Sequence, residues 1–88
     1  MITVEKIGDT TFQVTVKERT TTTHRVTVDP SYHEKLTGGC ATPEVLVEKS
    51  FEFLLEREDN TSILSTFDLP VIGEYFPEYE RTIRKMVK

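Results

Sequence analysis

The residues of this chain with the widest chemical repertoire are Cys40, His24 and His33. Cys40 lies just before a run with strong helical character. A helix N-terminus can lower a thiol's pKa, so a reactive cysteine is one reading. His33 stands seven residues earlier, but a helix and a turn separate the two, and a Cys–His nucleophile needs a geometry that spacing alone does not provide. A lone free cysteine otherwise serves as a small neutral filler. His24 falls on the apolar side of an alternating segment and reads as a partly covered histidine at a sheet margin. Glu48, Glu52 and Glu56 recur every fourth residue. Carboxylates on successive helical turns lie in a row, whereas a hard cation needs converging oxygen ligands, so they read as a solvated face. Gly38-Gly39 lacks the Gly-Lys-Ser/Thr ending of a phosphate loop and reads as a helix stop. No paired carboxylates, metal-spaced Cys/His set or nucleophile–base motif emerges. The expectation is a non-enzymatic protein with no catalytic residues, no metal and no cofactor.

The aromatic residues Tyr75, Phe76 and Tyr79 concentrate around Pro77. Exposed, they would form a partner-binding surface. Packed inward, they would cover the central helix as a second core layer. The second arrangement is favoured, because a chain of 88 residues, which forms one domain, residues 1–88, near the lower end of comfortable size, needs its large apolar side chains in the core.

The elements that must position these residues follow from periodicity. Ile2 and Val4, then Phe12, Val14 and Val16, then His24, Val26 and Val28 alternate with polar residues, which predicts three strands within residues 1–28. Pairing Val4 with Phe12 and Val14 with Val26 puts every apolar side chain on one face. That register also sets Ile2 opposite Val14, Phe12 opposite Val28 and Val16 opposite His24. The other face is wet and rich in threonine, and the first and third strands are edges unless something covers them. Residues 29–88 predict three to five helices packed on one face. The central one is Thr42 to Glu58, with Thr42 as N-cap, Pro43 as first residue, and Val47, Phe51, Leu54 and Leu55 along one stripe. A shorter helix starts at Asp29-Pro30 and ends at Gly38-Gly39. A helical turn is expected through Ile63 and Leu64, a weak helix from Leu69 to Phe76 capped by Asp68, and a last helix opened by Pro77. The predicted fold class is α+β: a three-stranded antiparallel meander followed by a helical half.

Composition bounds the rest. With 36% hydrophobic and 30% charged residues, a folded domain is expected, and no apolar run approaches a membrane span. The start Met-Ile-Thr-Val-Glu-Lys shows no basic region followed by an apolar stretch, so the expected location is cytoplasmic. One cysteine excludes an intrachain disulfide. The net charge of −4 arises in residues 30–60, which hold three basic and seven acidic residues. That acidic middle argues against a large phosphate-binding surface there.

Two resemblances add expectations. The run Phe51-Glu52-Phe53-Leu54-Leu55-Glu56-Arg57-Glu58, with Ser62-Ile63-Leu64, Phe67-Asp68-Leu69, Ile72 and Tyr75-Phe76-Pro77-Glu78-Tyr79, resembles a family of short prokaryotic proteins of unknown function, over most of the chain. It implies no activity. Arg25-Val26-Thr27-Val28, a short helix ending at Leu36, and Thr42 to Leu55 are together similar to a ribbon-helix-helix unit, as in small bacterial repressors and antitoxins of the HicB type. That resemblance implies a dimer in which Thr23, Arg25 and Thr27 read the DNA major groove. The leading expectation is a small interaction module that binds a protein partner, or a second copy of itself, through a sheet edge or the Tyr75–Tyr79 segment. A ribbon-helix-helix-like DNA-binding regulator is the alternative, and nucleic acid is a partner only under it.

Overall fold

Alternating threonines and β-branched residues give the N-terminal third of the chain its strands. In the computed structural model, which describes residues 1–88, these are β1 (Ile2–Lys6), β2 (Thr11–Lys17) and β3 (Thr21–Thr27), joined as an antiparallel meander. The observed registers differ from the expected ones by two residues. Val4 faces Val14 and Ile2 faces Val16. Phe12 faces Val26, Val14 faces His24 and Val16 faces Thr22. A slip of two leaves every side chain on its own face, so the hydrophobic pattern cannot tell these registers apart. The connections decide. The amides of Ile7 and Gly8 both donate to the Thr11 carbonyl, at 2.9 and 3.2 Å, which closes the first turn around Gly8, Asp9 and Thr10. Lys17 pairs with Thr21, which closes the second turn around Glu18, Arg19 and Thr20.

A fourth strand, β4 (Thr66–Asp68), lies parallel to β3, so the sheet is mixed, in the order β1-β2-β3-β4. The sequence reading places no strand there. With one buried residue, Phe67, in a three-residue strand, no alternation is long enough to register. The strand exists through its partner. The Arg25 amide donates to the Ser65 carbonyl at 2.7 Å, and the Leu69 amide to the Thr27 carbonyl at 3.0 Å. β4 therefore covers the edge of β3 that the three-stranded reading leaves open, and β1 remains an edge.

Four helices make up the helical half: α1 (Pro30–Thr37), α2 (Pro43–Leu55), α3 (Val71–Tyr75) and α4 (Tyr79–Met86); α2 lies against the sheet, α4 packs on α2, and α1 and α3 pack on α4. The Asp29 side chain caps α1 by accepting the Ser31 amide, and Thr42 Oγ1 caps α2 by accepting the Val45 amide at 3.2 Å. Gly38 ends α1 at φ 61°, a left-handed conformation that glycine adopts without a Cβ penalty. α2 supplies the buried Leu46, Val47, Ser50, Phe51, Phe53 and Leu54. Ser50 Oγ donates to the Leu46 carbonyl and therefore accepts the Tyr79 hydroxyl, each at 2.7 Å. Beyond α2, a single 3-10 turn occupies Asn60–Ser62, and Ile63 is extended rather than helical. Asp68 belongs to β4, so the third helix begins at Val71 instead of Leu69. The last helix begins at Tyr79, two residues after Pro77.

One polar cluster ties the helical half to the sheet. The Asn60 side chain donates to the Thr20 carbonyl at 2.7 Å and to Thr22 Oγ1 at 2.9 Å. Thr22 Oγ1 in turn meets His24 Nε2 at 2.9 Å, and His24 Nδ1 donates to the Leu64 carbonyl at 2.8 Å. The Leu64 carbonyl can only accept, so His24 Nδ1 carries the hydrogen of that contact. Replacing Asn60 with alanine removes its hydrogen bonds to the Thr20 carbonyl and to Thr22 Oγ1. It is expected to cost roughly 1–3 kcal/mol in chemical denaturation, the usual net worth of two hydrogen bonds. A loss below about 0.5 kcal/mol would show that water takes over those bonds.

Candidate interaction surface

Short extended segments with two adjacent apolar residues must turn one of them outward, because successive side chains of extended chain point to opposite sides. Ile63 is buried and Leu64 is 47% exposed. On α3, Ile72 is buried, while Tyr75, three residues on, is 67% exposed. Phe76 follows, half-buried, with its ring edge-on to Phe53 at 5.9 Å. Leu64, Tyr75 and Phe76 thereby line a groove over the buried Ile63, Phe67 and Ile72. Two of the four large apolar side chains that the chain exposes, Leu64 and Tyr75, lie here; Met1 and Ile7 are the others. The outer part of the groove has a volume of about 190 Å³ and is completed by Ser62 and Glu58.

Tyr79 does not belong to this surface. It is fully buried, edge-on to Phe53 at 5.3 Å, with its hydroxyl on Ser50. Burial pushes that phenol's pKa well above its usual range. The aromatic segment is thus divided: Tyr79 is core, Phe76 is shared, and Tyr75 is surface. Beside it, the Arg57 guanidinium stacks over Phe53 at 3.6 Å from the ring centroid and donates to Glu78 at 3.2 Å. The Glu78 carboxyl is lowered by a hydrogen bond from its own backbone and by Arg57. Across the helices, the Tyr32 hydroxyl donates to Glu80 at 2.9 Å, which lowers the Glu80 carboxyl and fastens α1 to α4.

Glu58 differs from these acids. Burial pushes its carboxyl up, and it takes part in none of the chain's ion pairs. It stands at the junction of the apolar groove with a polar hollow of about 440 Å³ bounded by Glu18, Arg19 and Asp59. Sequence reading gives Glu58 and Leu64 no site role: it sets Glu58 at the end of the central helix and Leu64 in an expected helical turn.

The wet face of the sheet carries rows of aligned side chains: Thr3, Thr15 and Thr23; then Glu5, Gln13, Arg25 and Thr66; then Thr11, Thr27 and Asp68. Thr23 and Arg25 are exposed and border a shallow hollow with Gln13, Ser65 and Thr66; Thr27 is half-buried and lies outside it. Arg25 and Lys17 are balanced on this face by Glu5 and Asp68. The stretch Arg25–Thr27 has β2 on one side and β4 on the other, so no edge of it is free for the twofold mate that a ribbon-helix-helix strand requires. The outer edges of the sheet are those of β1 and the three-residue β4. Met1 exchanges hydrogen bonds with Lys17 at 2.8 and 2.9 Å, so Ile2, Val4 and Lys6 turn their backbone groups outward.

The residues with catalytic repertoire are kept apart. Cys40 is exposed, and its Sγ is directed at the Val87 carbonyl at 3.5 Å. His33 Nε2 donates to the Ala41 carbonyl at 2.6 Å. Each engages a backbone carbonyl rather than the other, and neither lines a cavity. His24 is fully buried against Phe51, at 5.3 Å between ring centroids, rather than lying at a sheet margin, because the observed register sets it opposite Val14. No group of three or more His, Cys, Asp or Glu side chains converges, and no helix is long and apolar enough to cross a membrane. Comparison with protein-family models, with curated proteins and with solved structures returns no match for this chain.

Proposed function

We propose that the chain is a small non-enzymatic interaction module that docks a protein partner through the groove bounded by Leu64, Tyr75 and Phe76. The observation that supports this reading is the pairing of Leu64 and Tyr75. Two large apolar side chains, eleven positions apart in the chain, stay exposed along one hollow, in a domain that buries most of its other large apolar residues. Aromatic residues beside a pocket are the usual anchors of protein interfaces. The β1 edge is a weaker candidate, being five residues long and bearing Glu5 and Lys6, features that discourage strand addition.

The second reading, a nucleic-acid-binding regulator, draws on Thr23, Arg25 and Gln13, which lie side by side on the wet face. One experiment separates the two. Tagged wild type, Leu64→Ser/Tyr75→Ser and Arg25→Ala are used to capture partners from cell extract with and without nuclease. The interaction reading expects a protein held by wild type and Arg25→Ala, resistant to nuclease, and reduced at least about tenfold by the double substitution, since a lost anchor costs 2 kcal/mol or more. Capture that is sensitive to nuclease and to Arg25→Ala would replace it with the regulator reading.

A further inference from the structure

We infer that the groove takes a partner segment presenting one aromatic or branched aliphatic side chain next to an arginine or lysine, with Glu58 as the acceptor of the cation. This rests on the docking reading above and adds the chemistry of the occupant. Size fixes the apolar half. The outer hollow of about 190 Å³, open to solvent and walled on its apolar side by Leu64, Tyr75 and Phe76, has room for one side chain rather than a helix face. Charge fixes the polar half. Glu58 borders the same hollow as Leu64, Tyr75 and Phe76, and has no cation within ion-pair distance. Arg19 lines the polar hollow with Glu58, in company with Glu18 and Asp59, and makes no ion pair with Glu58. A partly desolvated carboxylate is worth more to an incoming cation than an exposed one, because the interaction is less screened. Burial raises its carboxyl pKa, and no neighbouring cation offsets that rise. An acidic occupant would place like charges together at the rim, a strong discrimination between partners.

The test uses the full chain, labelled with ¹⁵N, and two blocked tetrapeptides, acetyl-Gly-Phe-Arg-Gly-amide and acetyl-Gly-Phe-Glu-Gly-amide, followed by amide shifts. The arginine peptide is expected to move the amides of Leu64, Tyr75, Phe76 and Glu58, and the glutamate peptide to bind at least about tenfold more weakly. In Glu58→Gln that preference is expected to vanish. The variant remains folded: an acid with a raised folded-state pKa opposes folding while ionised and ceases to do so as pH falls through that pKa, so glutamine should keep or raise the melting midpoint at neutral pH. Equal binding of both peptides at the groove would overturn the inference and leave the docking reading standing. Shifts confined to other surfaces, or groove shifts that depend on protein concentration without peptide, would overturn it as well. In the last case a second copy of the chain is the occupant.

Discussion

Phe51→Ala is expected to remove about 3–5 kcal/mol from the stability of the fold, the range for truncating a buried aromatic side chain. Phe51 has no exposed surface and stands where α2 meets the sheet, with its ring 5.3 Å from that of His24 and 6.1 Å from that of Phe67. The truncation takes contacts from β3 and β4 together, and the His24 ring also belongs to the hydrogen-bonded cluster that holds the segment after α2. Domains have roughly 0.05–0.15 kcal/mol of stability per residue. For a chain of 88 residues this is roughly 4–13 kcal/mol in all, so the substitution removes a large fraction of it. Urea denaturation measures the difference directly. Phe51→Leu, which conserves more volume, is expected to lose less than half as much. A cost under about 1 kcal/mol for the alanine variant would mean that α2 does not seat this residue at the centre of the core.

Tyr79→Ala is expected to be nearly as damaging, about 3–5 kcal/mol, whereas Tyr79→Phe should cost only about 1 kcal/mol, the usual worth of one hydrogen bond. The difference isolates the ring from the hydroxyl that Tyr79 gives to Ser50. Tyr75→Ser, four residues away, is expected to stay within about 0.5 kcal/mol of wild type because its side chain is mostly solvated. The three variants together decide how the aromatic segment divides between core and surface. If Tyr75→Ser proved as destabilising as Tyr79→Ala, Tyr75 would be a core residue and the groove would lose its anchor.

Much of this architecture is legible in the sequence where a pattern repeats. α2 is announced by Thr42-Pro43 and by an apolar stripe from Val47 to Leu55, and α1 by Asp29-Pro30 and Gly38-Gly39. The strands β1 to β3 and their inward faces follow from alternation. Their registers do not, because a two-residue slip preserves the faces, and the choice falls to the Thr11 carbonyl in the first connection and to the Lys17–Thr21 pair in the second. β4 is invisible for a different reason. Thr66, Phe67 and Asp68 become a strand only because β3 offers an edge at Arg25–Thr27, and that tertiary condition leaves no trace in local propensity. The surface around Leu64 was hidden by the same segment. Read as a helical turn, Ile63 and Leu64 would diverge by only about 100°, so both could turn inward. Extended, they point apart, one into the core and one to solvent. Tyr75, Phe76 and Tyr79 are conspicuous in sequence, but their division depends on where α3 stops and α4 begins, at Phe76 to Glu78.

The measurement that bears most directly on the docking proposal is an amide shift map of the labelled protein with its captured protein partner. The account predicts perturbations concentrated at Glu58, at Ile63 and Leu64, and from Val71 to Phe76, with the rows through Thr3, Thr15 and Thr23 unmoved. Perturbations centred on Gln13, Thr23 and Arg25, or along Ile2 to Lys6, with the groove silent, would contradict it.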